Sequence, residues 1–342
     1  MELLSSEALP LLHNDSTADG NHSYGQQSLA SPFSSVAWTA IQVLVMTLFS
    51  VSGTFGNTLT IVAVFKTTKL QTIPNYFIVN LAAADLIVCL LLEPVYICTI
   101  IYQGCFLSQR LCQMVAVAAV TSMGASVLSM VVIAINRSIN ITKPAQIYKD
   151  VYTKTKTMWM CAAIWLLPLT FSLLFLMPVK FAELQYNPVI LSCTLVPSVA
   201  TTNVVLIFNM MSLGICYCIV LTCYIKIYKV VHQNRNRVCD LENQPKPGTS
   251  DENPTPVSLC SRAKQMELQV AANLLIIFVL FSICLYPYMV VSSLGASIDI
   301  HSSMGSFVMM LAYAHSSVNC IIYACRNKVY REAYYRILTR KY

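Results

Sequence analysis

Asp85 and Glu93 are carboxylic acids inside one long apolar stretch, where a charge is costly unless it meets a partner or an ion. They stand eight residues apart. In a regular helix that separation turns them about 80° from each other and about 12 Å along the axis, so they share a broad face. Asn57, Ser126, His315 and Asn319 lie in other apolar stretches and can approach Asp85. Polar groups around a buried carboxylate suit Na⁺ or a proton, and they equally suit a hydrogen-bonded packing knot with no ion in it. No other cofactor and no metal centre is expected. No H-E-x-x-H pattern and no nucleophile with a nearby base is present, so the chain does not read as an enzyme.

Cysteine and arginine chemistry lies toward the ends of the stretches. Most of the 14 cysteines fall within apolar runs, where Cys behaves as a small apolar residue. Cys112 opens the third run and Cys193 precedes the fifth, both on the side expected to be oxidising, where a disulfide would tie the loop over the bundle mouth. Cys105 lies close by and leaves another pairing open. At the far end of the third run stands Arg137, and Glu267 lies twenty residues before Pro287 in the sixth. A pair between them would hold two helices together; two solvated charges on neighbouring helices would look the same in sequence.

The elements that must position these residues are membrane helices. Seven apolar runs, at about 38–66, 74–102, 109–142, 157–178, 203–231, 263–294 and 303–324, approach or exceed the ~20 residues needed to cross a bilayer. The chain is 56% hydrophobic and 11% charged, unlike a soluble protein of its length. Of the 22 Lys and Arg residues, 20 fall in alternate loops and the tail, and only Arg110 and Lys180 fall on the other side. The positive-inside rule then places the N-terminus outside the plasma membrane and the C-terminus in the cytoplasm. Net charge +7 reads as orientation and docking surface facing anionic lipids, not as nucleic-acid binding.

The expected fold is an all-α membrane protein: a seven-transmembrane helix bundle with a short amphipathic eighth helix. Residues 1–37 read as a disordered extracellular segment without a cleaved signal peptide, glycosylated at Asn14 and Asn21. The helical body spans 38–325 and holds a flexible loop at 239–258, rich in Pro, Asn, Ser and acids. Residues 326–342 alternate basic and apolar groups at helical spacing and suit the surface of the inner leaflet. No internal repeat suggests a transporter, and the acids of the membrane interior are confined to one helix.

These landmarks resemble rhodopsin-like (class A) G-protein-coupled receptors. They stand as Gly56-Asn57, Leu81-Ala-Ala-Ala-Asp85, the Cys112 and Cys193 pair, Asn136-Arg137-Ser138 for the usual Asp-Arg-Tyr, Trp165, Tyr224, Phe281 with Cys284-Leu-Tyr-Pro287, and Asn319-Cys-Ile-Ile-Tyr323 for Asn-Pro-x-x-Tyr. Within that class the segment Leu184 to Thr194 and the run Phe278 to Cys284 resemble melatonin receptors and their orphan relatives. Val179, Leu195 and Pro197 stand where that subgroup carries its binding groups, so tight melatonin binding is not expected. Leu285 replaces the usual Trp below the ligand. Tyr313 replaces the Lys that would carry retinal, and Ala119 the Asp that would meet an amine.

The resemblance implies a ligand site drawing on Glu93, Tyr96, Ala119, Ser122, Met123, Leu195, Tyr286 and Tyr313, and a sodium or polar core of Asn57, Asp85, Ser126, His315 and Asn319. It implies a switch made of Asn136, Arg137, Tyr224, Glu267, Phe281, Pro287 and Tyr323. Its partners would be an unknown extracellular small molecule or peptide, membrane lipids, a heterotrimeric G protein of the inhibitory class, and arrestin through the third cytoplasmic loop. Two rival readings are a ligand-independent receptor fold acting through a partner receptor, which the altered landmarks would suit, and a transporter.

Overall fold

In the computed structural model, residues 32–176, 182–242, 256–294 and 302–339 are described. Seven helices in them are long and apolar enough to cross a membrane. They are α1 (Pro32–Lys66), α2 (Ile73–Tyr102), α3 (Gln109–Thr142), α5 (Lys154–Leu174), α6 (Thr202–Glu242), α7 (Pro256–Leu294) and α8 (Ser302–Arg326), called here the first to seventh spans. A short helix, α4 (Ala145–Val151), links the third and fourth spans, and α9 (Lys328–Leu338) follows the seventh. Asn14, Asn21 and residues 243–255 of the third loop lie outside the described residues.

The bundle is apolar outside, as lipid requires, and encloses a cluster of polar side chains within a largely apolar interior. Leu44, Leu48, Phe55, Leu167, Ile207 and Ile283 face outward, whereas Asn57, Asp85, Ser126, His315 and Asn319 are buried. Helix starts carry local caps: Ser108 accepts from the Leu111 N–H, Thr153 from Lys156, and Asn327 from Val329 and Tyr330. The α9 helix buries Tyr330, Ala333 and Tyr334 and leaves its basic groups outward. The Tyr334 hydroxyl meets Thr60 at 2.7 Å, and that of Tyr330 donates to Asn75 Oδ1 at 3.2 Å, so the eighth helix is docked on the first two spans.

The second span is not a regular helix. Val88–Leu92 forms a π turn, in which the Glu93 N–H reaches Val88 O. The cause is local: the next carbonyl, Cys89 O, would take its bond from residue 94, which is a proline and has no N–H. Ser50 in the first span donates to Cys89 O instead, at 2.7 Å. The extra residue in the turn cancels about 100° of rotation, so Asp85 and Glu93 lie within about 20° of one line rather than about 80° apart.

A two-stranded hairpin is the one sheet among the described residues. Strand β1 (Ala182–Asn187) pairs antiparallel with β2 (Ser192–Pro197), Tyr186 opposite Cys193 and Leu184 opposite Leu195. Asn187 Oδ1 accepts from the Val189 N–H at 2.9 Å and turns the chain. A Cβ on Gly305 of the seventh span would sit 1.9 Å from Val189 O, so only glycine lets the hairpin tip nest there. Thr99 of the second span fixes the same tip by donating to Leu191 O.

Candidate functional site

Asp85 is 0% exposed and ties three spans together. Its Oδ2 accepts from Asn319 Nδ2 at 2.7 Å and its Oδ1 from the Ser126 hydroxyl at 3.5 Å. His315 Nε2 lies 3.8 Å from Oδ1. The other ring nitrogen, Nδ1, bonds the Ala312 carbonyl, which can only accept, so Nδ1 carries the proton. Nε2 of the neutral ring is then the acceptor for the Ser316 hydroxyl at 3.1 Å. Asn57 lies in this core but donates to the Ser316 carbonyl rather than to Asp85. Trp165 donates to Asn80 Oδ1, and Asn80 in turn to Ser129, which joins the fourth span to the second and third.

Beside this core, toward the hairpin, a cavity of about 290 Å³ opens between the third, fourth, fifth and sixth spans. Its walls are mainly Met123, Val127, Phe171, Phe208, Leu285 and Met289, and Thr194 and Leu195 of β2 reach it from above. No Asp, Glu, Lys, Arg or His lines it; Thr194, Asn209, Ser212, Tyr288, Ser292 and Ser293 supply its polar atoms. Asn209 donates to Ser293 at 3.3 Å, and Thr194 meets the Tyr288 hydroxyl at 2.9 Å. Gly124 makes the third and fourth spans meet here, since a Cβ would lie 2.6 Å from Pro168 Cβ.

Of the residues expected to bind ligand, the cavity brings together Met123 and Leu195. Ala119 and Ser122 are buried in the third span outside its lining, and Tyr286 is 48% exposed on the outer surface. Glu93, Tyr96 and Tyr313 gather in a separate cluster under the hairpin. The Tyr96 and Tyr313 rings meet edge to face at 5.4 Å, Tyr96 donates to Ser306 O, and Tyr313 reaches Ser192 at 3.4 Å. Glu93 is fully buried, and neither carboxyl oxygen has a hydrogen-bond partner among the described residues.

The cavity and the polar core share a wall. Leu285 lines the cavity, and one turn below it Phe281 sets its ring edge to face against His315, centroids 4.7 Å apart. A shift of Leu285 is thus two side chains away from Asp85.

The model of the "7 transmembrane receptor (rhodopsin family)" matches residues 56–323. The chain belongs to that family. It is 31% identical over 312 residues to the melatonin receptor type 1A of Phodopus sungorus, covering 88% of this chain and 81% of that one. Human melatonin receptor type 1B is 30% identical over 296 residues, covering 83% and 74%. Crystalline squid rhodopsin shares the fold, with TM-score 0.74 at 18% identity over 90% of this chain and 86% of that one. The protein is therefore a seven-span membrane receptor related to melatonin receptors, not an enzyme, and its family implies a heterotrimeric G protein and an extracellular ligand as partners.

In this receptor, Cys112 and Cys193 form a disulfide that fastens β2 to the third span. At the opposite end Arg137 is buried within electrostatic reach of the Tyr224 and Tyr330 phenols. Asn136 turns away to donate to the Tyr148 hydroxyl of α4 at 3.2 Å. Burial lifts the Tyr152 phenol beside it to about 12, with the Asn136 amide pulling the other way. Tyr224 and Tyr323 face one narrow gap of about 10 Å³ with Leu81, Ile133 and Phe278, and the Tyr323 hydroxyl has no partner among the described residues. Pro287 lies inside the sixth span. Glu267 is in the same helix, but its side chain falls outside the described residues.

Asn209, Tyr288, Ser293 and Thr194 escaped the sequence reading. Small polar residues in an apolar span cap their own helix as often as they face a cavity; Ser282, for one, donates to Phe278 O. An amide is the exception, because it cannot be satisfied so simply, and Asn209 in the fifth span was the available signal.

Proposed function

We propose that the receptor responds to a neutral, largely apolar small molecule held in the cavity between the third and sixth spans. The observation that supports this is a lining without Asp, Glu, Lys, Arg or His, whose amide at Asn209 and hydroxyl at Ser293 can orient one polar group. The volume lies just below the roughly 300–1,000 Å³ typical of such sites, which favours a compact ligand over a peptide.

The ligand acts by preferring one of two helix arrangements. Displacing Leu285 moves Phe281 against His315, and the sixth span, with Pro287 as its flexible point, swings away from the third. In this proposal Arg137 then parts from Glu267, the partner that the sequence suggests for it, and Tyr224 and Tyr323 close their gap by hydrogen bonding. Asn136, held by Tyr148, does not restrain Arg137 as an acid would, so basal activity is high. His315 fills the space beside Asp85, which makes the core only weakly sensitive to Na⁺. The N-terminus and the hairpin face outside the plasma membrane, Asn14 and Asn21 carry sugar, and α9 rests on the inner leaflet. Similarity to melatonin receptors favours an inhibitory G protein. Arrestin docks on Thr249, Ser250, Thr255 or Ser258 once these are phosphorylated.

The test is G-protein dissociation and cyclic AMP in cells expressing the receptor, with neutral indoles and lipids set against charged amines and small peptides. A neutral compound should act, and Ser293→Phe, which fills the cavity, should abolish its effect at equal surface expression. A charged ligand whose effect survives that substitution overturns the proposal. A basal signal that no compound shifts would favour action through a partner receptor.

A further inference from the structure

Three sulfur atoms meet at the hairpin end of the bundle. The Sγ atoms of Cys105, Cys112 and Cys193 all lie within 4.8 Å of one another. Cys112 and Cys193 are bonded and buried, whereas Cys105 is a free, exposed thiol making a long contact of 3.6 Å with Leu107 O. The backbone puts it there. Gln103, at φ 52°, ends the second span in a left-handed turn closed by Gly104 N–H to Thr99 O at 3.2 Å, and the chain doubles back to Ser108, the cap of the third span. Tyr186, paired across the ladder with Cys193, has a buried hydroxyl without a partner among the described residues and lies within electrostatic reach of Cys105.

We infer that Cys105 is the third member of an exchangeable sulfur set and a reactive site of the receptor. Its thiol gives up a proton to water, and the thiolate attacks Cys193 Sγ. A Cys105–Cys193 bond forms, the Cys112–Cys193 bond breaks, and the electron pair leaves on Cys112 Sγ, which takes up a proton. One S–S bond is made and one broken, so no oxidant or reductant is needed. Cys112 is the better leaving group of the two bonded sulfurs, because it sits in the first turn of a helix, whose positive end favours a thiolate, while Cys193 lies in a strand, which has no such dipole.

The exchange changes what the hairpin is tied to. Cys193 directly precedes Thr194 and Leu195, the part of β2 that reaches the cavity. With Cys112 as partner, that roof is fixed to the third span, which is a cavity wall. With Cys105 as partner it hangs from the loop before that span, free to shift relative to the wall. Capping Cys105 with a small disulfide compound would hold the first arrangement. The sulfur exchange itself does not depend on which ligand the cavity takes.

The full-length receptor, purified in lipid nanodiscs without reductant, is moved to pH 8 and sampled over time. Free thiols are blocked with N-ethylmaleimide after an acid quench, and the disulfides are mapped by mass spectrometry without reduction. Trypsin cleaves after Arg110 and so separates Cys105 from Cys112. The label should begin on Cys105 and spread to Cys112, with a Cys105–Cys193 peptide growing in step and absent from Cys105→Ser. A label that stays on Cys105 at every time point overturns the inference. In Cys112→Ser, made in the secretory pathway whose disulfide-forming enzymes accept the two electrons, Cys105 and Cys193 should be oxidised to a direct pair, and surface expression should exceed that of the double variant with Cys105→Ser; a Cys105 that stays fully alkylatable there counts equally against it.

Discussion

Asp85 and Glu93 share a helix, a face and complete burial, yet their surroundings are opposite. Both oxygens of Asp85 are engaged, by Asn319 and Ser126, whereas those of Glu93 meet no hydrogen-bond partner among the described residues. Asp85 is a junction at which the second, third and seventh spans are held in register. Glu93 is a carboxyl buried beside Tyr313, in the cluster that Tyr313 makes with Tyr96. A buried acid in a membrane span therefore says that a site is special without saying which kind. The cavity teaches the same lesson from the other side, since it opens where the sequence carries no charge at all.

The largest effect should come from Asp85→Ala. It strands the Asn319 and Ser126 donors in the core, at roughly 1–3 kcal/mol for each unpaired group. Thermal unfolding of the purified receptor would measure the loss, and an unchanged midpoint would break the picture of Asp85 as a junction. Glu93→Met should act with opposite sign. Replacing a buried carboxyl that has no partner by an apolar group of similar size should raise stability by about 1–2 kcal/mol. A marked destabilisation in the same assay would mean that Glu93 is matched after all and that the contrast is false.

Gly305→Ala sharpens the comparison from above. The new Cβ meets the Val189 carbonyl, which forces the hairpin off the seventh span at a cost of about 1–3 kcal/mol. Because Thr194 and Leu195 move with the hairpin, ligand dissociation should quicken in the same variant. Unaltered dissociation with lowered stability would uncouple roof from cavity. Sodium should matter least. Ligand affinity measured with and without Na⁺ should change by under about threefold, in wild type and in Asp85→Asn alike, and a large sodium effect confined to wild type would show that His315 yields its place to the ion.

The seven spans were legible because a lipid environment makes the requirement local: each segment must satisfy its own backbone and present apolar groups outward, and both show in a sliding count of residue types. The docked helix after the seventh span was equally plain from its alternating basic and apolar residues. The hairpin was harder. Its alternation over Leu184 and Tyr186 is short, and it forms because Val189 finds Gly305 and Thr99 finds Leu191, contacts between distant segments. The π turn turned on Pro94, visible in the chain, but on Ser50 as well, which had to stand opposite the carbonyl the proline left without a donor.

What the sequence settled alone, then, was the number of spans, the bias of charge to one side of the bundle and the family landmarks from Asn57 to Tyr323. Tertiary structure decided the rest: the imidazole of His315 beside Asp85, two tyrosines and an acid under the hairpin, an apolar hollow between four helices, and a third sulfur against a disulfide. The division has one physical cause. Transfer from water to lipid is a property of a segment, whereas a cavity, a matched carboxylate or a sulfur cluster is a relation between segments, and its residues carry no mark of it until they pack.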